Sequence, residues 1–196
     1  YDLKNNTYYR NYSSPMGNKT ARKAIAFMES LKLVNGKRHK QDDVCLTSGS
    51  TGAITLVFEY IKNMFPTSEV LIATPAYYVY KFAAKYWKIS FREIFPTKLK
   101  SFKCIDEIIK SITNKTKLIV LTQPSNPTGE AYSPSELKKL LIEARKKDIL
   151  VLIDELFFDL IFEPENYLEA NTVTSTINAL ENLAIIRGYS KNKNLA

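Results

Sequence analysis

Five short apolar runs, at 44–47, 70–73, 118–121, 149–153 and 183–186, with a candidate strand at 89–95, constrain this chain more than anything else in it. They are too short for helices of their own. Several, such as Leu-Ile-Val-Leu at 118–121 and Ile-Leu-Val-Leu-Ile at 149–153, carry no polar residue to mark a wet face. A strand that is apolar on both sides needs cover on both sides, as in parallel sheets flanked by helices. Between the runs lie stretches with helical spacing at 19–33, 52–65, 78–87, 101–112 and 133–148. The last has the most explicit start: Ser133 can accept from the Glu136 amide, Pro134 suits the first turn, and Glu136 can reach back. Ser101 reads as the cap of the helix before it. Strands alternating with helices predict an α/β layer architecture with a largely parallel sheet.

Composition removes several classes of function. With 196 residues, 45% of them hydrophobic, the chain can bury a sizeable core. The net charge of +8, from 28 Lys and Arg against 20 Asp and Glu, is spread mostly at helical spacing and reads as solvated helix faces. Residues 36–40, Gly-Lys-Arg-His-Lys, form the one compact basic cluster, without the aromatic and glycine pattern of an RNA-binding strand; no nucleic-acid partner is expected. Two cysteines, Cys45 and Cys104, and one histidine, His39, supply neither a disulfide framework nor a Cys/His zinc site; no metal is expected. No apolar run reaches membrane-spanning length and no signal peptide opens the chain, so a reducing, cytoplasmic setting is expected.

The chemistry concentrates where the runs end. Residues 47–52, Thr-Ser-Gly-Ser-Thr-Gly, follow one run and open a helix, where amides and hydroxyls can meet a phosphate; as a bare sequence this is equally a plain turn. It is not a P-loop, and no GxGxxG is present. Pro124 and Pro127 flank Asn126 and stiffen its backbone, which suits a well-aimed hydrogen-bond donor. Asp154 closes the most apolar run, where a buried carboxylate needs a cationic partner, unless it is a loop or cap carboxylate. Lys191 follows the last run, and partial burial there makes an amine nucleophilic, although polar loops after strands commonly carry lysine.

Taken together, a phosphate cradle, a rigid amide, a carboxylate and a lysine at successive strand exits suit pyridoxal 5′-phosphate. The strings YSSPMG (12–17), RKAI (22–25), TSGSTGAI (47–54), TPAYYVY (74–80), SNPTG (125–129), IDELFF (153–158) and YSKNKNLA (189–196) resemble the fold-type I aminotransferases of class I and II, in the family's order. The resemblance implies a three-layer α/β/α sandwich with a mainly parallel mixed sheet. Residues 1–196 would be most of the cofactor-binding large domain, cut at both ends, with the small domain beyond Ala196. It implies amino-group transfer from an α-amino acid to a 2-oxo acid in a homodimer. Lys191 would form the internal aldimine and shuttle the proton, Asp154 would keep the ring nitrogen protonated, and Asn126 would donate to the ring phenolate oxygen. Tyr77 would stack on the ring, Gly49, Ser50 and Thr51 would hold the phosphate, and Tyr12 would reach a phosphate across the dimer interface. Ser190 precedes the lysine in the same motif.

The chain departs from the pattern at three positions. Phe157 stands at a cofactor-side position where the family usually has Tyr, Gly188 where a phosphate-binding Ser is common, and Asn194 where Gly is usual. The same first shell also serves decarboxylases, carbon–sulfur lyases and amino-acid oxidases, and a non-catalytic relative could retain the fold. Two other enzyme classes leave a trace. Tyr77 with Lys81, and Tyr189 with Lys193, match the Tyr/Lys pair of short-chain dehydrogenases, but no glycine-rich nucleotide turn accompanies them; Ser190-Lys191 lacks an oxyanion-hole signature.

Overall fold

The computed structural model describes residues 12, 14–34, 36–97, 103–162, 167–177 and 180–191. Eleven principal elements follow one another: α1 (Lys19–Ser30), α2 (Gly49–Met64), β1 (Glu69–Ala73), α3 (Val79–Tyr86), β2 (Ser90–Ile94), α4 (Ile105–Ser111), β3 (Thr116–Thr122), α5 (Pro134–Lys146), β4 (Leu150–Asp154), α6 (Ala170–Ile177) and β5 (Leu183–Ile186). The strands form one sheet in the order β2-β1-β3-β4-β5, and every pairing among the described residues is parallel.

Side-chain parity along the strands builds the layers. Leu71, Ile119, Leu121, Val151 and Ile153 face one core, closed by Ile105 and Ile108 of α4, Leu137, Leu140 and Leu141 of α5, and Val173 of α6. Val70, Ile72, Leu118, Val120, Leu152 and Ile186 face the other, closed by Ile54, Phe58 and Ile61 of α2 and by Val79, Tyr80 and Ala83 of α3. Successive residues of a strand point to opposite faces, so runs apolar at every position feed both cores at once. This is the three-layer α/β/α sandwich.

Topology selects one end of the sheet for function. From β1 the chain crosses by α3 to its outer neighbour β2, then returns past β1 by α4 to β3 and continues outward through β4 and β5. The order therefore reverses between β1 and β3. In open α/β sheets, the crevice beyond the carboxyl ends of the strands at such a reversal is where ligands bind.

The capping box of α5 forms as its sequence predicts: the Glu136 amide donates to Ser133 Oγ at 3.3 Å and the Ser133 amide to Glu136 Oε2 at 2.8 Å. Residues 44–47 are not the expected strand. They run extended and largely exposed, joined to residues 14–17 by the Leu46 amide donating to the Met16 carbonyl at 3.0 Å. Two apolar side chains in that segment bury too little surface to hold it in the sheet. The close approach needs Gly17, whose φ is 92° and where a Cβ would lie 2.6 Å from the Leu46 Cβ. The helix expected from a Ser101 cap starts later, at Ile105 after Cys104, which gives no side-chain cap; Ser101 itself lies outside the described residues.

Helix α6 was not expected from its sequence, ANTVTSTI. β-branched and hydroxyl residues are poor helix formers in isolation. Burial of Ala170, Asn171, Val173, Thr174 and Ser175 decides the outcome, and the hydroxyls bond back along the helix, with Thr174 donating to the Ala170 carbonyl at 2.7 Å.

Candidate active site

Parallel strands end together, so the segments leaving β1, β3, β4 and β5 share one edge. Tyr77 follows β1, Asn126 follows β3, Asp154 closes β4, and Ser190 with Lys191 follow β5. Tyr77 and Asn126 thus flank the point where the strand order reverses.

Asp154 is 4% exposed and sits opposite Thr122 of β3 in the strand register. Its Oδ2 accepts from the Tyr80 hydroxyl at 2.7 Å and its Oδ1 from the Leu156 amide at 3.0 Å. The Tyr80 hydroxyl also lies 2.9 Å from Thr122 Oγ1. Burial pushes the Asp154 carboxyl above its ordinary range, against the pull of these two hydrogen bonds. The cationic partner expected for this carboxylate is not among these partners: both donors to it are neutral. A buried carboxylate held by neutral donors, at the edge where ligands enter, suits a ligand that brings a protonated nitrogen.

Tyr80 and Thr122 are the site residues that sequence reasoning missed. Tyr80 is fully buried, and burial, followed by the Asp154 charge, pushes its phenol well above the usual range, so it remains a donor. The legible signal was its spacing, one helical turn after Tyr77. The Tyr77 ring stands 6.1 Å from the Tyr80 ring at 86° and 4.9 Å from the Tyr78 ring at 66°, two edge-on contacts that fix its plane.

The predicted phosphate cradle falls in the first turn of α2. Gly49 adopts a φ of 67° with no atom within 4 Å of an added Cβ, and Ser48 supplies no side-chain cap. Gly49, Ser50 and Thr51 therefore open a helix whose first-turn amides lack the usual side-chain acceptor, a favourable setting for an anion. Asn126 lies in a turn closed by the Ser125 amide on the Glu130 carbonyl and by the Gly129 amide on the Ser125 carbonyl, each at 2.8 Å.

The remaining candidates are placed less tightly. Lys191 is exposed in the turn after β5, not partly buried as expected, because the polar turn leaves the sheet edge; Ser190 and Phe157 are half-buried, and Tyr12 is fully exposed. A Cβ at Gly188 would lie 2.7 Å from Leu156 Cδ1, so a side chain there requires only the tip of the Leu156 side chain to turn aside. Asn194 and Lys193 lie outside the described residues. Lys81 pairs with Glu93 at 3.1 Å, a structural role that removes it from a catalytic Tyr/Lys pair with Tyr77. Among the described residues no group of three or more His, Cys, Asp or Glu is arranged to hold a metal, and no helix is long and apolar enough to cross a membrane.

Comparison with known proteins agrees with this architecture. The chain is 32% identical over 162 residues to aspartate aminotransferase of Sulfurisphaera tokodaii, covering 79% of this chain and 38% of that protein. It is 32% identical over 152 residues to nicotianamine aminotransferase 1 of Oryza sativa, covering 77% of this chain and 30% of that protein. It thus spans well under half the length of these relatives. The crystal structure of aspartate aminotransferase from Thermotoga maritima superposes with a TM-score of 0.82 at 23% identity, over 94% of this chain and 48% of that one. The family model for aminotransferases of class I and II matches residues 2–196, and the chain belongs to that family.

Proposed function

We propose that the chain is the cofactor-binding large domain of a pyridoxal 5′-phosphate-dependent aminotransferase that moves an amino group from an α-amino acid to a 2-oxo acid. One observation carries this reading above the others: Asp154 is a buried carboxylate held by neutral donors alone, on the edge that also receives Lys191. When bound, the cofactor supplies an electron sink that stabilises negative charge at the amino-acid Cα.

The residues divide the remaining work. Asp154 holds a proton on the ring nitrogen, and Tyr80 and the Leu156 amide keep that carboxylate ionised and aimed. Lys191 would hold the cofactor and supply the amine that moves a proton to and from the substrate Cα. Tyr77 would pack on the ring face, Asn126 would donate to the ring oxygen, and Gly49, Ser50 and Thr51 would hold the phosphate at the α2 N-terminus. Phe157 has no hydroxyl, so the ring-oxygen contact usual in the family would be missing there. Ser190 shapes the turn that presents Lys191. In a homodimer of the cytoplasm, the fully exposed Tyr12 would reach the partner's phosphate.

The test uses the full-length protein with added cofactor. A yellow band should appear, and borohydride reduction should fix the cofactor to Lys191; Lys191→Ala should abolish the fixation entirely. An undiminished yield in Lys191→Ala would remove the assignment. A screen of amino donors with 2-oxoglutarate then separates transfer, seen as keto-acid formation, from decarboxylase, lyase or oxidase chemistry, seen as release of carbon dioxide, ammonia or peroxide.

A further inference from the structure

Behind the strand exits lies an ionic cluster that the proposed chemistry does not use. Glu155 is 0% exposed and accepts four hydrogen bonds. Its Oε1 receives Gln123 Nε2 at 2.8 Å, the Ala170 amide at 2.7 Å and the Tyr167 hydroxyl at 3.2 Å, and its Oε2 receives Arg187 Nη2 at 2.7 Å. The same guanidinium donates to Glu169, lies 3.6 Å from Glu29 Oε1, and covers the Phe158 ring at 4.3 Å. Lys32 bridges Glu29 at 3.0 Å and Glu169 at 2.7 Å.

Stability alone is a poor reason for such a cluster. Removing charges from water is expensive, and well-packed apolar residues often do as well in the same place. What the charged version adds is geometry: the one guanidinium nitrogen Nη2 meets both Glu155 and Glu169 and so draws the two carboxylates to a single point. The cluster's members are close in sequence to the proposed site residues. Gln123, Glu155 and Arg187 stand three, one and four positions from Asn126, Asp154 and Lys191. Two backbone bonds complete the tie: the Gln123 amide donates to the Asp154 carbonyl at 2.9 Å and the Glu155 amide to the Ile186 carbonyl at 3.0 Å. The exits of β3, β4 and β5 are therefore fastened to one another on the face opposite Tyr80.

We propose that Arg187 and Glu155 are a positioning pair that sets the spacing of the segments bearing Asn126, Asp154 and Lys191, and hence how firmly the cofactor is held. This rests on the function proposed above. Neither residue touches the reacting atoms; both act through their neighbours.

The experiment compares full-length wild type, Arg187→Lys and the double variant Glu155→Gln/Arg187→Met. The double variant removes both charges of the pair together, so no lone buried charge remains between them. Each is titrated with pyridoxal 5′-phosphate, and the visible circular dichroism of the bound cofactor reports how rigidly its ring is oriented. The double variant, with wild-type far-ultraviolet dichroism, should bind at least about tenfold more weakly and lose most of its visible signal, with Arg187→Lys in between. Binding weakened by less than that overturns the proposal. So does loss of the fold in both variants, since the cluster is then a folding element only. A wild-type protein that gives no yellow band overturns the cofactor reading and this inference with it, whereas a wild-type band with unaffected variants overturns the positioning role alone.

Discussion

Asp154 and Glu155 are neighbours in sequence, both buried acids at the end of the same strand, yet they resolve the cost of burial in opposite ways. Asp154 turns toward α3 and is met by a phenol and an amide. Glu155 turns toward α6 and is met by an arginine and three further donors. Burial raises the pKa of both, but at Glu155 the Arg187 charge is the leading opposing influence, and at Asp154 only hydrogen bonds oppose it. The lesson is that burial by itself does not mark a functional carboxylate. A buried acid whose charge the protein balances is fastening; one whose charge it leaves unbalanced is waiting for a partner.

The contrast can be broken most forcefully at Arg187. Arg187→Met leaves Glu155 as an unpaired buried charge and should destabilise the protein by about 3–5 kcal/mol in chemical denaturation. A loss under about 1 kcal/mol would mean that Glu155 is balanced by its other donors. Next comes Tyr80→Phe, which removes a donor from Asp154 and should cost roughly 1.5–3 kcal/mol in the cofactor-free protein. If its unfolding midpoint matched wild type, the Tyr80 bond would contribute nothing there. Lys32→Met, at the half-exposed rim of the same cluster, should cost about 1 kcal/mol and lose that effect in high salt.

The smallest effect sharpens the comparison through pH. The folded Asp154 carboxyl titrates above its ordinary value, so its contribution to stability is complete below that ordinary value and is lost as pH rises through the folded one. Asp154→Asn does not titrate. Its stability relative to wild type should therefore rise with pH across that interval and then level off, in cofactor-free protein unfolded by urea. A relative stability that fell across the interval would show a carboxylate stabilised on folding, reversing the assignment.

Legibility in the sequence followed how local the determining interactions are. The apolar runs at 70–73, 118–121 and 149–153 predicted the three inner strands because burial on both faces leaves no polar position, and Ser133-Pro134-Ser135-Glu136 predicted the start of α5 because a capping box is closed within one turn. The run at 44–47 was misread because an apolar run states only that a segment prefers burial, and here the partner is the loop around Gly17. Helix α6 was missed because its propensities favour other conformations and tertiary burial overrides them. At the candidate site, the positions of Asp154, Asn126 and Lys191 at strand exits were legible in the sequence, while what they bind was not. Tyr80 was marked only by its spacing from Tyr77, which among 12 tyrosines singles out nothing until the helix turns it onto the carboxylate.

The amino-acid order thus determined the layered α/β architecture, the common edge for chemistry and the family, because hydrophobic period and strand-exit motifs are properties of neighbouring residues. Only the tertiary structure decided which donors meet Asp154 and that Glu155 is tied to Arg187. Tyr80 and Arg187 come from segments 74 and 32 residues away from these acids, and their meeting depends on strand order and register, which no local pattern encodes.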